Sequence, residues 1–425
     1  MINLFIIFTL FTIFVLFYFY LKIKKDIFQP ILFFIFMYYI VGHILRTFYI
    51  FINPEVFASF TLRNVSLNYS LYSKVLLVTF ISFLFIILGY ETPLRMKIKV
   101  NYFLKINLKK INILSLLLLF IYFFSNSTSA IDSSIVSSFD SILKIIVLFF
   151  IFALEYESLL IRNSKYFTFS IIYLLLYIVR DLLNAWKGSI VNIILFYIVY
   201  LYVKNKKYKE KIKYKRIIMY AIILLIILLF IVTPSVSYYR IILLTGEKPN
   251  FVDYFNNYSP FENFFNRFQY IDEAYTIFTL EKSEIRNYNE NVVNPIFSLF
   301  NFLFPRIIFE NKPIITTGRI NAIYISKINP AIYTNVAISF VGDLYLRTGY
   351  FGLFFFSFFY GILLKFFYRL LRDRIMPVYL YTLFYSRLNF SEGDMFSKAS
   401  GIIRDFIIIW FLINLLNLFF NRIRK

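Results

Sequence analysis

The sequence contains no cysteine, which excludes disulfides and any thiolate metal site. It contains one histidine, His43, so no site that needs two imidazole ligands can be assembled from it. The apolar stretch at residues 1–21 has no basic region ahead of it and no small-residue cleavage signal, so it reads as an uncleaved first helix rather than a signal peptide. Internal repeats of the kind seen in many transporters are also missing.

What is present is mostly apolar. Of 425 residues, 60% are hydrophobic and 22% aromatic, and the mean hydropathy is +0.71. Soluble domains are closer to half apolar. Apolar runs of about 20 residues recur, the length that crosses a ~30 Å hydrocarbon core at 1.5 Å per residue. The fold class expected is an all-α integral membrane protein. The formal charge of +22 raises the question of a nucleic-acid partner. Its distribution argues for none, because much of it sits in short clusters between the apolar runs, where topology signals sit.

Eleven spanning helices are expected, at about 2–21, 28–52, 71–90, 111–124, 141–158, 167–184, 188–203, 217–233, 350–367, 375–390 and 402–420. The second ends at Asn53-Pro54, where proline stops a helix. Dense basic clusters follow the odd-numbered runs, the densest being KNKKYKEKIKYKR at 204–216. By the positive-inside tendency the C-terminus is cytoplasmic and the N-terminus outside. Residues 1–233 then form an N-terminal bundle of eight spans, 234–349 one large external loop, and 350–425 three C-terminal spans.

The loop has a pattern of its own. In FENFFNRFQYIDEAYTIFTL (261–280), Phe261, Phe264, Phe265, Phe268, Ile271, Tyr275 and Phe278 recur at helical spacing, with Glu262, Asn266, Arg267, Gln269, Asp272 and Glu273 on other faces. This predicts an amphipathic helix at the membrane interface or capping the bundle. PIFSLFNFLF (295–304) is too short to span and reads as re-entrant or interfacial. Arg240, Arg286, Arg306, Arg319 and Arg347 punctuate the loop. Arginine suits phosphate, because its planar fork gives bidentate, charge-assisted hydrogen bonds and keeps its charge. Interfacial arginines also snorkel to headgroups with no specific ligand.

Three stretches resemble one family. NAWKGSIVNIILFYIVYLY (184–202) is similar to a basic-glycine turn opening a mid-chain helix. FLFPRIIFENK (302–312) carries a Pro-Arg step in the late external loop. GDLYLRTGYFGLFFFSFFYG (342–361) pairs an acidic residue and tyrosine with Gly-x-x-Gly at the mouth of the next helix. Their order resembles that of the bacterial oligosaccharide repeat-unit polymerases, the Wzy-type O-antigen and capsule polymerases. The resemblance implies an integral-membrane glycosyltransferase fold in the bacterial cytoplasmic membrane, with its active loop on the outer face. It implies transfer of a growing glycan from polyprenyl pyrophosphate to the non-reducing end of the next lipid-linked unit. No metal, cofactor or nucleotide sugar is expected. The partners implied are lipid-linked oligosaccharides, membrane lipids, a chain-length regulator and a flippase.

In such a transfer the departing diphosphate gains negative charge, and preorganised cations lower the barrier. Arg306, Arg267, Arg319 and Arg347 are the candidates for that role, with Arg240 and Lys187 in support. Asp343 beside Gly342 is the candidate base for the attacking hydroxyl, with Glu262 and Asp272 as rivals. Asp343 is also spaced to pair with Arg347 one helical turn on. Gly349 and Gly352 read as a bend or close-packing device. Bland structural readings fit His43 and the adjacent Arg180 and Asp181, and Glu155 and Glu157 read as interfacial. Two other functions keep the same architecture. An O-antigen ligase would place a histidine in the external loop, and this loop has none. A flippase of lipid-linked glycans would show broken, charged central helices.

Overall fold

The structure, a computed structural model, describes residues 2–26, 29–54, 57, 66–94, 107–124, 134–183, 233–245, 250–257, 269–291, 295–300, 321–325, 338–372, 376–385, 387–388 and 395–422. Among the described residues the fold is all-helical. In chain order the helices are α1 (Ile2–Lys25), α2 (Pro30–Ile52), α3 (Tyr69–Glu91), α4 (Leu108–Phe124), α5 (Ser134–Ile161), α6 (Ser164–Leu183) and α7 (Thr233–Thr245). Then come α8 (Phe251–Asn257), α9 (Tyr270–Phe278), α10 (Lys282–Asn291), α11 (Pro295–Phe300), α12 (Phe340–Arg372), α13 (Val378–Tyr385) and α14 (Met395–Arg422). Among the described residues, five helices are long and apolar enough to cross a membrane: Asn3–Lys25, Pro30–Ile52, Tyr69–Glu91, Phe340–Arg372 and Met395–Leu418. Their outer faces carry bare aromatics, such as Phe5 at 68% and Phe351 at 83% exposure. Apolar area of that size facing outward suits a lipid solvent.

The chain forms two compact units, neither of them contiguous. The first comprises Met1–Lys99, Phe265–Asp373 and Arg387–Arg404. It therefore joins the first three helices, the second part of the loop and α12. In lipid no hydrophobic force drives helices together, so they associate where small residues let backbones approach. The α3–α12 crossing is such a place. A Cβ added at Gly361 would lie 2.1 Å from the Ile86 carbonyl oxygen, and one at Gly89 would lie 1.9 Å from that of Phe358. Ser82 and Ser357 share a hydrogen bond of 2.8 Å on the same seam. Helix α1 packs on α3 through aromatic edges, with Phe11 5.7 Å from Phe80. At the far end of α3, Glu91 takes the Lys22 ammonium and the Tyr18 hydroxyl.

Two of these helices are irregular. From Ile35 to Leu45, α2 winds as a π-helix, a wider coil that is rare at this length and frequent at functional sites. Helix α12 breaks at Gly349, where φ is 66° and ψ −167°, a conformation that glycine alone adopts at low cost. The break falls where the sequence predicts the loop to end and the ninth span to begin. Gly352 is a close-packing position, since an added Cβ would lie 2.2 Å from the Thr348 side chain.

The second unit comprises Val100–Phe264, Arg374–Ser386 and Asp405–Lys425. Helices α4, α5 and α6 pack around the buried Asp181. Its carboxylate accepts the Tyr122 hydroxyl at 2.5 Å and forms an ion pair with the Lys144 ammonium at 2.8 Å. The Arg180 guanidinium stands farther off, at 3.9 Å, and lies over the Tyr122 ring. The expected Arg180–Asp181 pair is thus one arm of a four-residue cluster. Glu155 is fully buried rather than interfacial. Helix α13 has eight residues, all buried, where the sequence predicts a span over 375–390. Eight residues rise about 12 Å, too little to cross a bilayer. The predicted seventh and eighth spans lie mostly outside the described residues.

Candidate functional site

The motif GDLYLRTGY opens α12. Ser339 caps it: its hydroxyl accepts the Gly342 N–H at 3.2 Å and its carbonyl accepts that of Asp343 at 2.8 Å. Serine suits this place because its side chain substitutes for a missing helical carbonyl. Asp343 then falls in the first turn, where the helix dipole favours an anion. The residue is fully buried, and one carboxylate oxygen accepts the Met395 N–H at 3.3 Å. One turn on, Arg347 donates to the Ser298 hydroxyl of α11 at 3.1 Å, and its guanidinium lies 4.9 Å from the centre of the Phe396 ring. The acid and the cation therefore both reach the start of α14, beside a short helix of the loop, just ahead of the Gly349 break.

Helix α9 forms the floor of this corner. Seven of its nine residues are buried: Tyr270, Ile271, Asp272, Ala274, Tyr275, Thr276 and Ile277. The amphipathic pattern of 261–280 marks a face, and the described part packs that face among α2, α3 and α12, against the bundle. Its polar side is consumed internally. Asp272 takes two hydrogen bonds from Arg46 of α2, at 2.6 and 3.2 Å, with the two side chains 1% and 0% exposed. The Tyr275 hydroxyl donates to the Ser66 carbonyl at 2.9 Å and accepts the Asn68 N–H at 2.8 Å. Asn68 in turn caps α3 through Ser70 and Leu71. The Tyr270 ring lies against Gly42, where a Cβ would sit 2.1 Å from a ring carbon.

His43 lies fully buried in the π-helical segment of α2, with Nδ1 2.8 Å from the Tyr38 carbonyl. A carbonyl only accepts, so Nδ1 carries the proton and Nε2 presents a lone pair. Among the described residues Nε2 has no hydrogen-bond partner.

Of the candidates named from the sequence, Asp343 and Arg347 lie a turn apart on α12, and each contacts the start of α14. Asp272 is engaged by Arg46 in a buried ion pair. Arg306, Arg267, Arg319, Lys187 and Glu262 lie outside the described residues, as does the side chain of Arg240, whose backbone is in α7. Sequence reasoning passed over Arg46 and Ser298. Arg46 carried one usable signal, a charge inside an apolar run, which marks intramembrane function by default. Ser298 carried none. No family model, no curated protein and no solved structure matches the chain.

Proposed function

We propose that this protein is a lipid-linked oligosaccharide polymerase, a metal-independent glycosyltransferase of the bacterial cytoplasmic membrane. In this reading the spanning helices carry the loop 234–349 on the outer face. The acceptor hydroxyl of one lipid-linked unit attacks the anomeric carbon of the growing glycan. The new bond is acceptor oxygen to anomeric carbon. The bond that breaks joins that carbon to the phosphate oxygen, and polyprenyl pyrophosphate leaves with the electron pair. Asp343 takes the hydroxyl proton. Arg347 stabilises the charge on the departing diphosphate, with Arg306, Arg267 and Arg319 completing the cationic set and Arg240 and Lys187 binding substrate. Preorganised cations act strongly where water is excluded.

The observation that carries the reading is the Asp343–Arg347 corner. One buried carboxylate and one half-buried guanidinium, a turn apart, sit on the helix whose sequence resembles the polymerases. The test is in cells. Arg306→Ala should leave the protein inserted while single lipid-linked units accumulate and polymer disappears. Polymer of normal length from that variant would remove Arg306 from the mechanism. Asp343→Asn with full activity would remove the base.

A flippase is the second reading, favoured by the Arg46–Asp272 pair. Buried charge within a spanning helix is common on transport pathways. That reading predicts movement of lipid-linked glycan between leaflets and no new glycosidic bond.

A further inference from the structure

Resting on the proposed transfer chemistry, we infer that Arg46 is a positioning residue for Asp343, acting through α9. Arg46 and Asp272 are 226 positions apart in sequence and meet with almost no solvent contact. A buried ion pair is weak evidence of stability, since apolar side chains of similar volume often do as well. What it supplies is register. Two desolvated charges tolerate one rotation of α9 about its axis, because any other leaves both unpaired in a low dielectric. The Tyr275 bridge to Ser66 and Asn68 and the Tyr270 ring against Gly42 fix the same rotation.

The other face of α9 meets the first turn of α12. A Cβ built on Gly342 would lie 2.5 Å from Ile277 Cδ1 and 3.7 Å from the Ala274 Cα. Gly342 is thus in contact with α9, and the next residue is Asp343. Helix α2 holds the same turn from a second direction, since the Tyr38 hydroxyl accepts the Val341 N–H at 2.9 Å. The π-helical winding of Ile35–Leu45 lies between Tyr38 and Arg46. It sets the angle between the two residues through which α2 grips α9 and α12. A rotation of α9 would therefore shift the Asp343 backbone without touching its carboxylate.

The chain has no cysteine, so a single reporter thiol has no background. The reporter is Thr276→Cys, at a fully buried position on α9. Its reaction with a membrane-permeant maleimide is compared in the otherwise wild-type protein and with Arg46→Leu or Arg46→Lys added. The same proteins, reconstituted with two lipid-linked oligosaccharides, give kcat and KM. Arg46→Leu should expose the thiol and lower kcat by about 100-fold, the scale of an ångström-sized misplacement, with KM unchanged. Arg46→Lys, which keeps the cation, should recover part of both. Gly342→Ala should lower kcat in the same way with the ion pair intact, and Ile277→Val, which deletes the clashing Cδ1 and leaves only the Ser339 hydroxyl at 3.0 Å, should restore part of it. This second pair decides the matter if Arg46→Leu fails to fold. Wild-type kcat in Arg46→Leu, a change confined to KM, or no restoration by Ile277→Val would overturn the inference. No polymer from the wild type would overturn the transferase reading instead. Thiol protection alone would then support or overturn the hold of Arg46 on α9.

Discussion

Replacing Gly361 with alanine tests the α3–α12 seam that supports the proposed site. The added methyl would lie 2.1 Å from the Ile86 carbonyl oxygen and 2.8 Å from the Tyr90 nitrogen. Both are backbone atoms of α3, so neither can move by changing rotamer. Relief to ordinary contact, about 3.4 Å, requires the helices to part by roughly 1.3 Å. Overpacking of this kind costs about 1–3 kcal/mol. The same movement stretches the 2.8 Å Ser82–Ser357 hydrogen bond beyond its range, a further ~0.5–1.5 kcal/mol. Alanine in place of glycine inside a helix returns about 1 kcal/mol. The net expectation is destabilisation by about 2 kcal/mol. In a unit of 150–250 residues that lowers the unfolding midpoint by about 4–8 °C. The assay is thermal unfolding of the purified protein in detergent. Gly401→Ala serves as the internal control, because a Cβ there meets nothing within 4 Å and propensity alone should act. A Gly361→Ala protein as stable as wild type, or stabilised like the control, would refute the seam.

Gly349→Ala meets no atom within 4 Å, yet its φ of 66° should make it cost about 1–3 kcal/mol through backbone strain alone, read as a lower unfolding midpoint. Arg46→Leu alone should destabilise by about 3–5 kcal/mol, because it strands the buried Asp272 charge; adding Asp272→Leu should recover most of that, a double-mutant cycle that simple additivity would contradict. Lys144→Met leaves the fully buried Asp181 charge without its ammonium and should lower the unfolding midpoint more than Asp181→Asn, because the Lys144 freed by that change is 18% exposed and can rehydrate.

Much of the helical order was legible because apolar runs of membrane length leave little choice of structure. The break at Gly349 was legible too, since the glycine stands where loop composition gives way to a phenylalanine run. The placement of α9 was not. Helical spacing of Phe and Tyr identifies an apolar face but says nothing about what it meets, and Asp272 finds Arg46 across 226 positions. The sequence therefore offered Asp272 as a rival base when packing makes it half of an ion pair. The predicted tenth span illustrates the same gap: the stretch 375–390 is largely apolar, but residues 378–385 form a short helix whose eight residues are all buried. The acid and cation of the candidate site both belong to the GDLYLRTGY stretch that the sequence singles out. Their neighbours Ser298, Met395 and Phe396 come from segments whose approach only the tertiary fold decides.

The central claim is glycosidic bond formation between two lipid-linked units. Its most direct measurement is reconstitution of the purified protein in liposomes, with polyprenyl-pyrophosphate oligosaccharide supplied on one face. The account predicts a ladder of lengthening lipid-linked glycan from the wild type and none from Asp343→Asn. Single units recovered unchanged from the wild type, or merely moved to the opposite leaflet, would contradict it.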